Sequence, residues 1–204
     1  MTMKILCLGD SLTYGFAMPR GQVWTALCAV QTGAELVNLA VNGNTTGGML
    51  AMLPRAMETH SPDFVFLMGG VNDILYGGDL LGAKANMGGM AHLVTAFGAV
   101  PMFGIPITPR YPVRQDWAAL FPDNAERLCT EYNGWLRKFA YTFHLPVIDF
   151  SNEFLRQAER RGYSPETCYL VDGLHPNRVG HELMGEIAAE TISACLQKRT
   201  VKHG

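Results

Sequence analysis

The sequence predicts an α/β fold: a three-layer sandwich in which five parallel strands lie between helices. Three observations carry that expectation. Short apolar runs at residues 4–8, 64–68 and 100–105 lack a sustained polar alternation, the pattern of strands covered on both faces. Longer helix-forming segments alternate with them, and strand–helix alternation builds parallel sheets through right-handed crossovers. Polar turns rich in glycine and asparagine follow the runs, where such sheets bind their ligands.

The chain in order supports this layout. Lys4-Ile5-Leu6-Cys7-Leu8 reads as the first strand and leads into Gly9-Asp10-Ser11. An amphipathic stretch at 23–30, stopped by Gly33, reads as its covering helix. Residues 35–41 form a short second strand that breaks at Asn42-Gly43-Asn44, and a segment rich in Met and Leu follows to Glu58. Pro54 is expected to break or kink that helix, and its methionines to fill core. Pro62-Asp63 opens the third strand, 64–68, which ends in Gly69-Gly70-Val71-Asn72-Asp73. A helix over 80–97 leads to the fourth strand at 100–105.

Residues 106–122 carry four prolines and no periodicity, so they read as a long loop of the kind that usually has a function. A helix over 124–143, a fifth strand over 145–150 and a short helix over 151–161 come next. Ser151 is expected to cap that short helix, with Glu153 and Glu159 exposed. The loop Asp172-Gly173-Leu174-His175-Pro176 precedes a last helix from Asn177 to Gln197, and 198–204 reads as a frayed tail. No repeat, low-complexity tract or linker divides the chain, so 1–204 is expected to be one domain.

Composition narrows the function. At 48% hydrophobic and 17% charged residues, the 204-residue chain suits a globular protein with a substantial core. A net charge of −2 offers no electrostatic case for nucleic acid or anionic membrane. No apolar run approaches the roughly 18–20 residues that span a bilayer. The N-terminal run is too short for a signal peptide and ends in polar residues, although a leader removed beforehand stays open. Five scattered cysteines, Cys7, Cys28, Cys129, Cys168 and Cys195, form no CxxC pair, so neither a disulfide framework nor a zinc site is expected and the cytoplasm is the default compartment.

Ser11 follows the first strand, Gly43 the second, Asn72 the third, and Asp172 with His175 the fifth, so the fold would gather all of them on one rim. A serine acts as nucleophile only beside a base that another group orients. Of six histidines, His60 and His144 precede proposed strands on surface loops, His92 and His181 fall on helices, and His203 lies in the tail. His175 alone sits on a loop after a strand with a carboxylate three residues before it. That offset lets Asp172 reach Nδ1 and leaves Nε2 for Ser11. The Gly43 N–H and the Asn72 amide can supply donors to a developing oxyanion. Each residue also has a plain structural reading: Asp10 and Ser11 as helix cap, Gly43, Asn72 and Asp172-Gly173 as turn formers, Pro176 as the first residue of a helix.

The blocks Gly9-Asp10-Ser11-Leu12, Asn38-Leu39-Ala40-Val41-Asn42-Gly43-Asn44-Thr45-Thr46, Gly70-Val71-Asn72-Asp73 and Asp172-Gly173-Leu174-His175-Pro176 stand in this order. Together they make the chain resemble the SGNH (GDSL-type) hydrolases over nearly its whole length. The resemblance implies a flavodoxin-like sheet of order 2-1-3-4-5 and a triad of Ser11, Asp172 and His175. It also implies an oxyanion hole of Ser11 N–H, Gly43 N–H and the Asn72 side chain. The family includes carboxylesterases, thioesterases, lysophospholipases and carbohydrate O-acetylesterases.

The function expected is a serine hydrolase for small-molecule esters, or thioesters, of short to medium acyl groups. It would need neither cofactor nor metal. His181-Glu182 begins like HExxH, but Gly185 stands where the second histidine would be. A carbohydrate O-acetylesterase with the same triad is the nearest alternative. Phe16, Met18, Ile107, Trp117 and Phe121 give the rim an apolar lean that argues against it. A flavin- or phosphate-binding module on the same sheet, with Ser11 and Thr13 holding phosphate, would leave Asn72, Asp172 and His175 without a role. Phe16, Ile107, Trp117 and Phe121 are the candidate substrate contacts, with residues 106–122 as a wall of the acyl pocket. The oligomeric state and the alcohol half of the substrate are not legible.

Overall fold

The computed structural model describes residues 2–109 and 113–202. Five strands, β1 (Lys4–Gly9), β2 (Glu35–Asn38), β3 (Phe64–Met68), β4 (Val100–Ile105) and β5 (Val147–Asp149), form one sheet in the order β2-β1-β3-β4-β5. Every neighbouring pair is parallel, with Ile5 opposite both Leu36 and Phe64.

Successive strand side chains point to opposite faces, and here both faces are dry. Ile5, Cys7, Phe64, Phe66, Met68, Met102 and Ile148 enter one core cluster, and Leu6, Leu8, Val65, Leu67, Phe103 and Ile105 the other. That is why the strands read as unbroken apolar runs. Gly104 permits one close approach: a Cβ there would lie 2.4 Å from the Phe66 ring. Edge strand β2 is only half buried and ends at Asn38, short of the expected Val41, although the Leu39 and Val41 N–H groups still donate to the Cys7 and Gly9 carbonyls of β1.

Three helices carry apolar residues into the first cluster: α2 (Trp24–Thr32), α8 (Phe150–Arg160) and α9 (Arg178–Lys202). Three others cover the opposite face: α3 (Thr46–His60), α5 (Leu80–Ala96) and α7 (Ala125–Thr142). Two short helices follow strands near the carboxyl rim, α1 (Ser11–Tyr14) after β1 and α4 (Val71–Gly77) after β3, and α6 (Gln115–Ala118) lies within the long loop. The layers and the strand order are those expected.

Several local expectations give way. Pro54 does not break α3, which is continuous through it. A mid-helix proline costs about 3 kcal/mol. Met49, Leu53, Ala56 and Met57 are buried around it, and each larger side chain returns roughly 1.5–3 kcal/mol. The same continuity makes His60 the last residue of α3, half buried, rather than part of a surface loop.

Val71, Asn72 and Asp73, read as part of the turn after the third strand, instead open the helix α4 (Val71–Gly77). Val71, Ile74 and Leu75 recur at helical spacing and are buried, and Asp73 lies in the first turn, where an acid is favoured. Helix α8 is capped by Asp149, whose side chain accepts from the Asn152 N–H, and not by Ser151. Glu153 is half buried beside Arg156, and β5 is correspondingly short. The last helix continues past Gln197 to Lys202, because residues 198–202 contain neither glycine nor proline. His203 and Gly204 lie outside the described residues, as do 110–112 of the long loop.

Candidate active site

Strand β1 delivers Ser11 by a tight local device. Asp10 caps α1, its Oδ1 accepting the Leu12 N–H at 2.9 Å, so Ser11 becomes the first residue of a one-turn helix. The turn is anchored from below: the Trp24 indole N–H donates to the Leu12 carbonyl at 3.1 Å, and Arg20 donates to the Tyr14 carbonyl at 2.8 Å. Asp10 is buried, and burial, with Asp73 nearby, pushes its carboxyl up to about 7 against the pull of the Leu12 N–H.

His175 arrives on a turn closed on itself. The Leu170 N–H donates to the His175 carbonyl at 2.8 Å, and the Gly173 N–H to that of Leu170 at 3.0 Å. Asp172 Oδ1 accepts the backbone N–H groups of Leu174 (2.9 Å) and His175 (3.0 Å). Its Oδ2 lies 2.8 Å from His175 Nδ1, while Nε2 of the same ring lies 2.9 Å from Ser11 Oγ. An acceptor-only carboxylate at Nδ1 selects the tautomer with the proton there, so Nε2 is the acceptor for the Ser11 hydroxyl.

Asp172 and His175 are both buried. Burial alone would raise the Asp172 carboxyl. The His175 N–H and ring, the Leu174 N–H and the attraction of His175 outweigh it and hold the carboxyl below its ordinary value. Helix α8, expected from the sequence, and a 3-10 turn (Pro165–Cys168), which was not, intervene between β5 and this loop.

The second rim cluster joins the loops after β2 and β3. Asn72, buried in the first turn of α4, donates through Nδ2 to the Asn44 carbonyl at 2.9 Å. Its neighbour in that loop, Gly43, is exposed and has φ of +72°. Nothing lies within 4 Å of where a Cβ would stand, so backbone conformation rather than crowding calls for glycine there.

The candidate substrate contacts separate. Phe16 and Trp117 both meet the His175 ring, with centroids 4.4 Å and 5.6 Å away. Phe121 is half buried on the second core cluster and lines a cavity of about 250 Å³ with Leu75, Pro109, Val113, Ala118 and Cys129. Ile107 is buried in the first core cluster, against which Met18 packs. The long loop also touches the turn that carries Asp172 and His175, since the Arg114 N–H donates to the Asp172 carbonyl at 3.1 Å.

His181, set aside as a helix residue, proves to be buried, with Nδ1 accepting the Trp24 N–H at 3.3 Å. Burial, with His175 and Arg20 adding to it, pushes that imidazole down to about 4. The ring is therefore a neutral tie between α9 and the helix that anchors the Ser11 turn. Asp73, Thr46 and Asn86 form a further polar network missed in the sequence. Among the described residues, no three His, Cys, Asp or Glu side chains gather as a metal site requires, and no helix is long and apolar enough to cross a membrane.

Comparison with known proteins identifies the family. The GDSL-like lipase/acylhydrolase family matches residues 7–183, a span that includes Ser11, Gly43, Asn72, Asp172 and His175. An arylesterase of Vibrio mimicus is 30% identical over 195 residues, covering 93% of this chain and 88% of that one. An Escherichia coli protein named as thioesterase, protease and lysophospholipase is 26% identical over 193 residues, covering 92% and 82%. The crystal structure of a lipolytic G-D-S-L family member from Veillonella parvula superposes with a TM-score of 0.79 at 26% identity, over 94% of this chain and 99% of that one. The chain belongs to the GDSL-like lipase/acylhydrolase family, within the SGNH group, and is a carboxylic ester hydrolase.

Proposed function

We propose that the protein cleaves small-molecule esters of short to medium acyl groups through an acyl-enzyme on Ser11. The observation that carries this reading is the hydrogen-bonded series Ser11 Oγ, His175 Nε2, His175 Nδ1, Asp172 Oδ2. In the first half-reaction Ser11 Oγ attacks the ester carbonyl while His175 Nε2 takes its proton. Asp172 holds the ring's tautomer and stabilises the imidazolium. The carbonyl oxygen becomes an oxyanion that accepts from Ser11 N–H, Gly43 N–H and the Asn72 amide. Asn72 Nδ2 carries two hydrogens, and the bond to Asn44 uses one of them. His175 then protonates the departing alcohol. Water repeats the sequence with His175 as base, and the acid leaves. Each oxyanion donor is worth about 10²–10³ in kcat.

The acyl group is proposed to pass the aromatic pair Phe16 and Trp117 toward the cavity beside Leu75, Pro109 and Phe121. Leu75 stands one helical turn beyond Asn72 on α4, which ties that cavity to the oxyanion side of the site. An apolar wall suits an alkyl or aryl acyl group better than a sugar, and an arylesterase among the relatives is in keeping with that. A panel of p-nitrophenyl esters from acetate to palmitate, run beside acetylated sugars and acyl-CoA, tests the assignment. The expected optimum lies among short to medium aryl esters. A clear preference for acetylated sugars, with little turnover of the aryl series, would replace it by a carbohydrate O-acetylesterase.

A further inference from the structure

Two of the three proposed oxyanion donors sit on different segments: Gly43 after β2 and Asn72 after β3. The turn that carries Gly43 is pinned at both ends. At its near end the Val41 N–H donates to the Gly9 carbonyl at 3.1 Å, two residues before the nucleophile. At its far end Thr46, fully buried, meets the residue after Asn72. Thr46 Oγ1 donates to Asp73 Oδ1 at 2.6 Å, and the Thr46 N–H donates to Asp73 Oδ2 at 3.0 Å. Asn86, from α5, donates to the same Thr46 hydroxyl at 3.0 Å, which fixes the hydroxyl as donor toward Asp73.

We propose that Asp73 is a positioning residue for the oxyanion hole, its carboxylate clamping the start of α3 to the start of α4 so that the Gly43 N–H and the Asn72 amide are held at one fixed separation. The inference rests on the reading of Gly43 and Asn72 as donors. The chemistry of the clamp suits the task. Thr46 opens α3, so its N–H belongs to the orphan donors at a helix start, and Asp73 satisfies it from another helix. The side chain also lies in the first turn of its own helix, so it bridges two helix N-termini. The cross-link spans 27 residues of sequence and joins exactly the two segments whose relative placement sets the donor geometry. Asn72 adds one parallel bond, to Asn44. Without Asp73 the turn 42–46 keeps that single neutral bond to α4, and the buried N–H and hydroxyl hydrogen of Thr46 lose their acceptor.

A displacement of about 1 Å in a site of this kind costs up to about 10² in rate. Asp73→Ala is therefore expected to lower kcat about 10- to 100-fold with KM within about threefold. Because its effect runs through the oxyanion donors, the same substitution made on top of Asn72→Ala should cost less than about threefold more, a non-additivity that a general loss of stability does not produce. Thr46→Val keeps the side-chain volume and the backbone bond. It is expected to lose about three- to tenfold in kcat with the same non-additivity, and it carries the test if Asp73→Ala does not fold. Losses that multiply in full in the double variants, or an unchanged kcat in the single ones, overturn the clamp. An unchanged kcat in Asn72→Ala alone overturns the donor reading itself, and the clamp with it.

Discussion

The indole of Trp117 meets the imidazole of His175 edge-on, at an interplanar angle of 87° and a centroid distance of 5.6 Å. A residue of the proline-rich loop thus touches the base of the proposed triad. The same loop is bonded through Arg114 to the Asp172 carbonyl.

Trp117→Ala is expected to change the ratio of kcat/KM between medium and acetyl esters, by roughly fivefold for each methylene that loses its contact, since such a contact is worth about 1 kcal/mol. Phe121 lines the cavity farther along, so Phe121→Ala should weaken only the longer acyl esters. Kinetics across the p-nitrophenyl ester series measure both. An unchanged chain-length profile in both variants, with only a lower Tm, would remove the loop from the acyl pocket.

Asn72→Ala should lower kcat about 10²–10³-fold with KM little changed, as expected for a donor used chiefly in the transition state. Steady-state kinetics on a single aryl ester decide this. A loss confined to KM would make Asn72 a substrate contact instead.

Asp10 and His181 titrate over the same pH range with opposite effects on stability. His181 is held at about 4 in the fold, against about 6.5 when unfolded, so the unfolded chain binds more protons and stability falls as pH drops from 6.5 toward 4. Asp10 is held at about 7, against about 3.9 unfolded, so its contribution falls as pH rises from 4 toward 7. Each shift is worth on the order of 3 kcal/mol. In urea unfolding at pH 4.5 and 7, His181→Asn should compare better with the wild type at pH 4.5, and Asp10→Asn better at pH 7. Asn can still cap α1 at position 10. Differences from the wild type that ignore pH would show that neither group is shifted.

The strands and the rim residues were legible because each signal is local. β1 and β3 are unbroken apolar runs, and Ser11 and Asn72 follow them within a few residues. The offset of three between Asp172 and His175 was a local signal as well. What stayed hidden depends on partners far along the chain. The acceptor for the Thr46 hydroxyl is 27 residues away, and His181 is tied to Trp24 across 157 residues, so neither role leaves a trace in its own neighbourhood. Helix α4 was missed although Val71, Ile74 and Leu75 carry its spacing, because two glycines and an asparagine in front of Asp73 read as a turn. The capping of α8 went to Asp149 because the chain leaves β5 one residue earlier than its apolar pattern suggests.

The central claim is that Ser11 is the nucleophile. Reaction with a serine-directed fluorophosphonate, followed by intact-mass and peptide mass spectrometry, tests it most directly. The expected result is a single adduct per chain, located on Ser11. Ser11→Ala should take up no label, hydrolyse no ester and unfold at the wild-type temperature. An adduct on any other serine, or ester hydrolysis persisting in Ser11→Ala at the wild-type rate, would contradict the assignment.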